Sequence, residues 1–237
     1  MARNIAVVLA GGSGSRTGLN IPKQFLPVAG KTVLEHSVEA FHRNPGIDEV
    51  VIVISQDYIE TARDLCRKNG WNKVTQILPG GSERYQSSLS AINAYNDQPD
   101  CNLIFHDAAR PLVTDRIISD TIKALEANRA VSVAVPSTDT IVTIKEPSAN
   151  PVTDKVLDRR MLYCEQTPQG FRQSTIRQAY EIALKDPALV STDDCGTVLK
   201  YLPQVPVVIV PGDRDNIKLT YQEDIPMVEF LLSRRSL

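Results

Sequence analysis

A run of small and cationic residues near the N-terminus sets the chemistry this chain can do. Directly behind the apolar stretch Ile5-Ala-Val-Val-Leu9 come Ala10, Gly11, Gly12 and Gly14, then Arg16 and Lys23. Glycines at the carboxyl end of a strand let backbone N–H groups approach a ligand with no Cβ in the way. The two nearby cations point to a polyanion, for which a triphosphate is the natural candidate. The common phosphate motifs do not fit. A P-loop requires G-x-x-x-x-G-K-[ST], and here Gly18 is followed by Leu19. A dinucleotide turn requires G-x-G-x-x-G, and this chain has Thr17 at the third glycine position. The glycines alone would also suit a plain tight turn; the ordered Arg and Lys favour function.

Three further positions carry chemistry. Pro79-Gly-Gly-Ser-Glu-Arg84 is a second glycine turn with a cation. It reads either as a helix start capped by Ser82 or as a place where Gly80 and Gly81 let a base approach the backbone. Asp107 closes the apolar run Asn102–His106 and is followed by Ala-Ala-Arg110. An acid at a strand's carboxyl end sits where open α/β sheets bind ligands; the alternative is a carboxylate paired only with Arg110. Lys218, in Asp215-Asn-Ile-Lys218, adds another cation. No Ser-His-Asp or Cys-His arrangement for nucleophilic catalysis is evident. The three histidines are too scattered for a metal cluster, and His36 and His42 read as helix-surface residues. The four cysteines form no Cys-x-x-Cys pair and read as reduced thiols of a cytosolic protein, with Cys164 and Cys195 as small buried side chains.

The elements that position these residues follow from periodicity. Glu49–Ile54 is a continuous apolar run, as in a parallel strand buried on both faces. Val74–Leu78, Asn102–Asp107, Ala130–Val135 and Val207–Val210 read as further strands. Helical spacing predicts helices after Thr32, over Tyr58–Lys68, through Leu89, Ile92 and Tyr95, from Thr114 to Ala127, over Gln173–Leu184 and Thr192–Tyr201, and after Thr220. Thr32 with Glu35 and Thr220 with Glu223 have capping-box spacing. Arg159–Phe171 is polar and proline-punctuated. Residues 138–159 form an excursion, an extended ribbon that could bind a second copy of the chain. Strands alternating with helices imply a mostly parallel, three-layer α/β sheet, with the polar loops along one edge. Net charge is −2, which argues against a nucleic-acid partner, and no apolar run spans a bilayer. The N-terminus shows no signal-peptide core, so the expected location is cytoplasmic.

Leu9-Ala-Gly-Gly-Ser-Gly-Ser-Arg16, Pro22-Lys23-Gln24, His106-Asp-Ala-Ala-Arg-Pro111, Thr167-Pro-Gln169 and Asp215-Asn-Ile-Lys218-Leu-Thr220 occur in that order. With them the whole chain resembles the CTP-dependent cytidylyltransferases that act on alditol phosphates. The resemblance implies a Rossmann-like nucleotidyltransferase fold over residues 1–237, with 138–159 as a protruding β-arm that makes a homodimer. It implies that Leu9, Ala10, Gly11, Gly12 and Gly14 wrap CTP, that Arg16, Lys23 and Lys218 contact its phosphates, and that Gly81, Ser82 and Ser87 face cytosine. It places Asp107, Arg110 and Thr167 on the acceptor, with Thr140 and Arg159 reaching it from the neighbouring subunit. Mg²⁺ is the implied metal, with Asp107 as its candidate ligand. Many methylerythritol-phosphate enzymes have Gly-Asp at the base-reading turn, whereas this chain has Gly81-Ser82, and Thr17 stands where the family often has Met. Asp139-Thr-Ile-Val142, Tyr163 ahead of Gln166-Thr-Pro-Gln169, and Asp194-Cys195 look like the ribitol-phosphate branch.

That chemistry suits the residues. A phosphate monoester is mostly dianionic at neutral pH, its second pKa being about 6, so it attacks without a general base. The task is to bring anion to polyanion, which falls to Arg, Lys, backbone donors and a divalent cation. An NAD-linked dehydrogenase would leave Lys23 and Lys218 without a role, and a nucleotide-sensing domain without catalysis is the other alternative class.

Overall fold

The computed structural model describes residues 2–12, 21–191 and 193–235. Gly14, Arg16 and Thr17 lie outside them.

Strand β1 (Asn4–Ala10) is the spine of a seven-stranded sheet. It pairs in parallel with β4 (Glu49–Ile54) on one side and β6 (Asn102–Asp107) on the other. Beyond β4 lies β5 (Val74–Pro79). Beyond β6 comes β10 (Tyr163–Arg172), then β7 (Ala130–Pro136) and the edge strand β11 (Val207–Pro211). Short strands β2 (Pro27–Val28) and β3 (Lys31–Thr32) form a separate hairpin.

Alternation along β1 builds the two cores. Ala6 and Val8 face one side, beneath α1 (Val33–Arg43), α2 (Ile59–Asn69) and α4 (Asp115–Ala127). Ile5, Val7 and Leu9 face the other, beneath α3 (Arg84–Ala94), α5 (Gln173–Ala183) and α6 (Asp194–Tyr201). The three-layer, mostly parallel sheet expected from the sequence is therefore present. A smaller core packs the last helix, α7 (Asp224–Arg235), on Leu26, Val28, Leu112 and Leu219.

Local chemistry fixes the helix starts. Thr32 Oγ1 accepts from the Glu35 amide at 3.2 Å while Glu35 accepts from the Thr32 amide at 2.8 Å, the expected capping box. Thr114 caps α4 through the Ile117 amide. Two starts differ from expectation. Glu83, not Ser82, is the N-cap of α3, because Gln86 three residues on reaches back to the Glu83 amide. At α7 the Asp224 carboxylate takes the Thr220 and Tyr221 amides at 2.7 and 2.8 Å, a place expected for Glu223.

Strand β10 was not evident from the polar, proline-bearing sequence. It runs antiparallel to both neighbours, and its register with β7 shifts between Glu165 and Gln169, the irregularity at which a proline is tolerated. Its buried Gln166, Thr167 and Gln169 are satisfied from distant segments. Within residues 138–159, β8 (Val142–Ile144) and β9 (Thr153–Val156) pair as an antiparallel ribbon separate from the main sheet, and every residue of β9 is exposed. No helix among the described residues is long and apolar enough to cross a membrane.

Candidate active site

The carboxyl ends of β1, β5 and β6 open onto a cleft of about 320 Å³. Leu9, Ala10, Gly11 and Gly12 line it from β1, and Gly81, Ser82, Glu83, Arg84 and Ser87 from the start of α3. Asp107, Ala108 and Ala109 line it from the end of β6, Lys23 and Gln24 from a 3₁₀ turn, and Lys218 from the segment before α7. Positions separated by most of the chain thus converge on one cleft.

The glycines are needed for close approach. The Gly81 amide donates to Ser87 Oγ at 3.2 Å, tying the turn to α3. A Cβ at Gly81 would lie 2.2 Å from Gln86 Cβ, and one at Gly80 would lie 2.9 Å from Ser87 Oγ. Lys23 lies beside Gly12, its Cε 3.7 Å from where a Cβ on that glycine would be.

Asp107 is the electrostatic centre. Lys218 Nζ donates to its Oδ2 at 2.6 Å, and Arg84 Nε stands 3.6 Å from its Oδ1. Burial alone would raise the Asp107 carboxyl, but the Arg84 and Lys218 charges outweigh it and hold the group far below the usual carboxylate range. Arg84 also donates through Nη1 to the wholly buried Asp194 at 2.7 Å, and Tyr180 donates to the other Asp194 oxygen at 2.7 Å. Burial would lower Arg84, yet Asp194 and Asp107 overcome it and raise the guanidinium above its ordinary value. Both Asp107 oxygens therefore already face cations. A divalent cation at this carboxylate would have to displace one of them or bind chiefly through ligand oxygens.

Behind Asp107, Thr167 Oγ1 accepts from the Asp107 amide at 3.1 Å and meets His106 Nδ1 at 2.9 Å. His106 is fully buried, and burial pushes its imidazole down to about 4. The consistent arrangement is a neutral ring that accepts from the Thr167 hydroxyl and donates from Nε2 to the Arg110 carbonyl at 3.1 Å.

Several expected site residues lie elsewhere. Thr167 is buried behind the wall, with its hydroxyl committed to His106 and Asp107. Arg110 is outside the cleft lining and forms no ion pair with Asp107; its guanidinium donates to the Asn216 and Glu165 carbonyls at 2.8 and 3.3 Å. It braces strand β10 and the Asn216 loop instead of lining the cleft. Thr140 and Arg159 sit on the arm, outside the lining, where Arg159 donates to the Thr138 carbonyl. Cys164 is exposed, contrary to expectation, whereas Cys195 is buried. Next to Cys195, Glu165, Asp193 and the thiol bring one atom each within 4.8 Å of one another. Glu165 is exposed as a residue, yet partial desolvation of its carboxyl, then the hydrogen bond and charge of Asp193, push it up to about 7.

Arg84, Asp194 and Tyr180 were missed as site residues. One signal was available for Arg84: a cation in the first turn of a helix opposes the helix dipole, so its charge needs another partner.

A glycine-lined cleft at the carboxyl edge of a parallel sheet, with lysines from two remote loops on its wall, defines a nucleotidyltransferase. The family model described as IspD, 2-C-methyl-D-erythritol 4-phosphate cytidylyltransferase, matches residues 4–234, and the chain belongs to that family, CTP-dependent enzymes that cytidylylate an alditol phosphate. The 2-C-methyl-D-erythritol 4-phosphate cytidylyltransferase of Thermobifida fusca is 47% identical over 97% of this chain and 93% of its own length. A bifunctional ribulose 5-phosphate reductase/CDP-ribitol pyrophosphorylase of Haemophilus influenzae is 43% identical over 99% of this chain, which spans 49% of that longer protein. The crystal structure of 4-diphosphocytidyl-2C-methyl-D-erythritol synthase from Anaerococcus prevotii superposes with a TM-score of 0.83 at 29% identity, covering 98% of this chain and 97% of that one.

Proposed function

We propose that the cleft holds CTP beside the phosphate of D-ribitol 5-phosphate, giving CDP-ribitol and pyrophosphate. The observation that carries the two-substrate reading is the convergence of Gly11, Gly12, Lys23, Gly81, Ser87, Asp107 and Lys218 on one cleft. In this reading the loop from Leu9 and Ala10 through Gly14 cradles the triphosphate with Arg16 and Lys23. Lys218 meets the α-phosphate, and the base lies against Gly81, Ser82 and Ser87. The acceptor phosphate attacks the α-phosphorus directly. The residues contribute by orienting two anions and by balancing charge, which preorganised donors do at little reorganisation cost. Asp107 is the residue that would hold Mg²⁺, in exchange for one of its present cations, and the metal would supply further charge neutralisation at the phosphates.

The acceptor side lies around Asp107. Thr167 and Arg110 support it from behind, by fixing the Asp107 amide, strand β10 and the Asn216 loop. Thr140 and Arg159 belong to the arm, and the reading gives them to the neighbouring subunit's site in a homodimer. Exposed Val142, Ile144, Val152 and Val156 supply the apolar surface such an arm would bury.

Ribitol 5-phosphate is favoured by the motifs around Asp139–Val142, Gln166–Gln169 and Asp194-Cys195, and by the 43% identity to a CDP-ribitol pyrophosphorylase. The 47% identity to the Thermobifida protein supports 2-C-methyl-D-erythritol 4-phosphate as the second reading. Pyrophosphate release from CTP and Mg²⁺ with each acceptor, run side by side, decides between them. A higher kcat/KM with ribitol 5-phosphate is expected. Preference for the methylerythritol compound would assign the other acceptor, and no release with either would remove both.

A further inference from the structure

Lys218 stands in the cleft wall bound to a carboxylate, although a phosphate-binding lysine must be able to leave it. Asp107 could not be left alone in that wall without cost, since its side chain is only 13% exposed and a stranded, largely buried charge is strongly unfavourable. We propose that Arg84 is a positioning residue for phosphate binding: by remaining on Asp107 as its second cation, it releases Lys218 to a nucleotide phosphate. This deepens the reading of Lys218 given above and rests on it.

The geometry gives the two cations different roles. Lys218 is the more exposed, at 37% against 23% for Arg84, and holds Asp107 by a single ammonium contact. Arg84 cannot follow a ligand. Its Nη1 is tied to Asp194, which is wholly buried and held in turn by the Tyr180 hydroxyl and by its own amide donating to Gln169 Oε1 at 3.3 Å. Arg84 Nη2 is buried with no hydrogen-bond partner, a donor in reserve for Asp107 when Lys218 departs. Charge therefore alternates from Asp194 through Arg84 and Asp107 to Lys218, anchored at the interior end and exchangeable at the cleft. Removing Arg84 should fasten Lys218 to Asp107 more firmly, which would be felt as weaker phosphate binding.

The test is CTP affinity by calorimetry in metal-free buffer, so that no metal contact at Asp107 enters. Arg84→Gln combined with Asp194→Asn removes the buried cation and its buried counter-ion together, leaving neither stranded. The pair should weaken CTP by about tenfold, the scale of one charge-assisted hydrogen bond. Adding Asp107→Asn should restore affinity to within about threefold of wild type, because Lys218 no longer has a carboxylate to leave. A triple variant as weak as the double one, or a double variant of unchanged affinity, would overturn the proposal. If the double variant fails to fold, Asp107→Asn alone still decides: CTP should bind at least as tightly as to wild type, and a tenfold loss would refute the exchange. Lys218→Ala separates the two levels, since unchanged CTP affinity and turnover there would remove Lys218 from the phosphates altogether.

Discussion

At the scale of the residue, the site works by charge placement. Lys23 reaches the cleft from a 3₁₀ turn and Lys218 from the segment before the last helix. Replacing either by alanine should lower turnover by roughly 10²–10³, the usual worth of one preorganised charge contact, read as pyrophosphate release under saturating CTP. A near-wild-type rate for Lys23→Ala would displace it from the site. Glu165 makes a prediction about stability. Glu165 is exposed as a residue, but its carboxyl loses water beside Asp193, which holds its folded value above the ordinary 4.5, at about 7; because solvent still reaches the group, its contribution to stability is small. The folded state therefore binds the proton more tightly, so this contribution is complete below about pH 4.5 and fades as pH rises through 7. Glu165→Gln, which keeps an acceptor for Ser132 Oγ at 2.6 Å, should flatten the loss of melting temperature between pH 5 and 8. An unaltered slope would show that the Glu165 carboxyl does not take up that proton.

At the scale of the element, the start of α3 is where structure and binding compete most closely. Gln86 accepts from Ser82 Oγ at 2.9 Å and from the Glu83 amide at 3.1 Å, and packs on the bare face of Gly81. Gly81→Ala would drive Gln86 away and undo both contacts. Overpacking of this kind costs about 1–3 kcal/mol, and here part of the loss should fall on ligand affinity. The expected result is a KM for CTP raised about tenfold with a modest drop in melting temperature; a changed melting temperature with unchanged KM would place the base elsewhere. The amphipathic helices and uniformly apolar strands were legible because their pattern is local. β10 was not, because its buried side chains are polar. Gln166 is paid for by Asp213 and Asn216, and Gln169 by Asp193, partners set by the fold and not by the neighbouring sequence.

At the scale of the molecule, the sheet order decides which loops share a cleft. β1 and β6 are neighbours, so Gly11 and Asp107 come together, and the antiparallel β10 brings Thr167 behind them. The arm leaves this arrangement altogether. Its exposed apolar residues, Val152 at 59% and Val156 at 66%, contribute nothing to either core. If the arm makes the homodimer proposed above, replacing residues 138–159 with a short turn should leave the two sheet-flanking cores folded, give a monomer in sedimentation with a melting temperature lowered only by the lost subunit contact, and abolish turnover through loss of Thr140 and Arg159. A truncated protein that sediments as wild type would place the dimer contact elsewhere, and one that keeps turnover would remove the arm from the acceptor site.

By itself the sequence determined the alternating α/β plan, the glycine loop, the two lysines, the acid at the end of β6 and the excursion of the arm. Each is a local pattern: an apolar period, a glycine behind a strand, a charge at an element's end. Only the tertiary structure decided which charges meet. Arg84 and Asp194 are 110 positions apart, as Asp107 and Lys218 are 111, and no spacing encodes those pairs. It likewise moved Thr167 and Arg110 from the cleft to its supports, because a side chain's direction depends on the strand beside it. Gly11 and Gly12 line the cleft at the end of β1, and behind its Asp107 wall the charges alternate from Asp194 through Arg84 to Lys218.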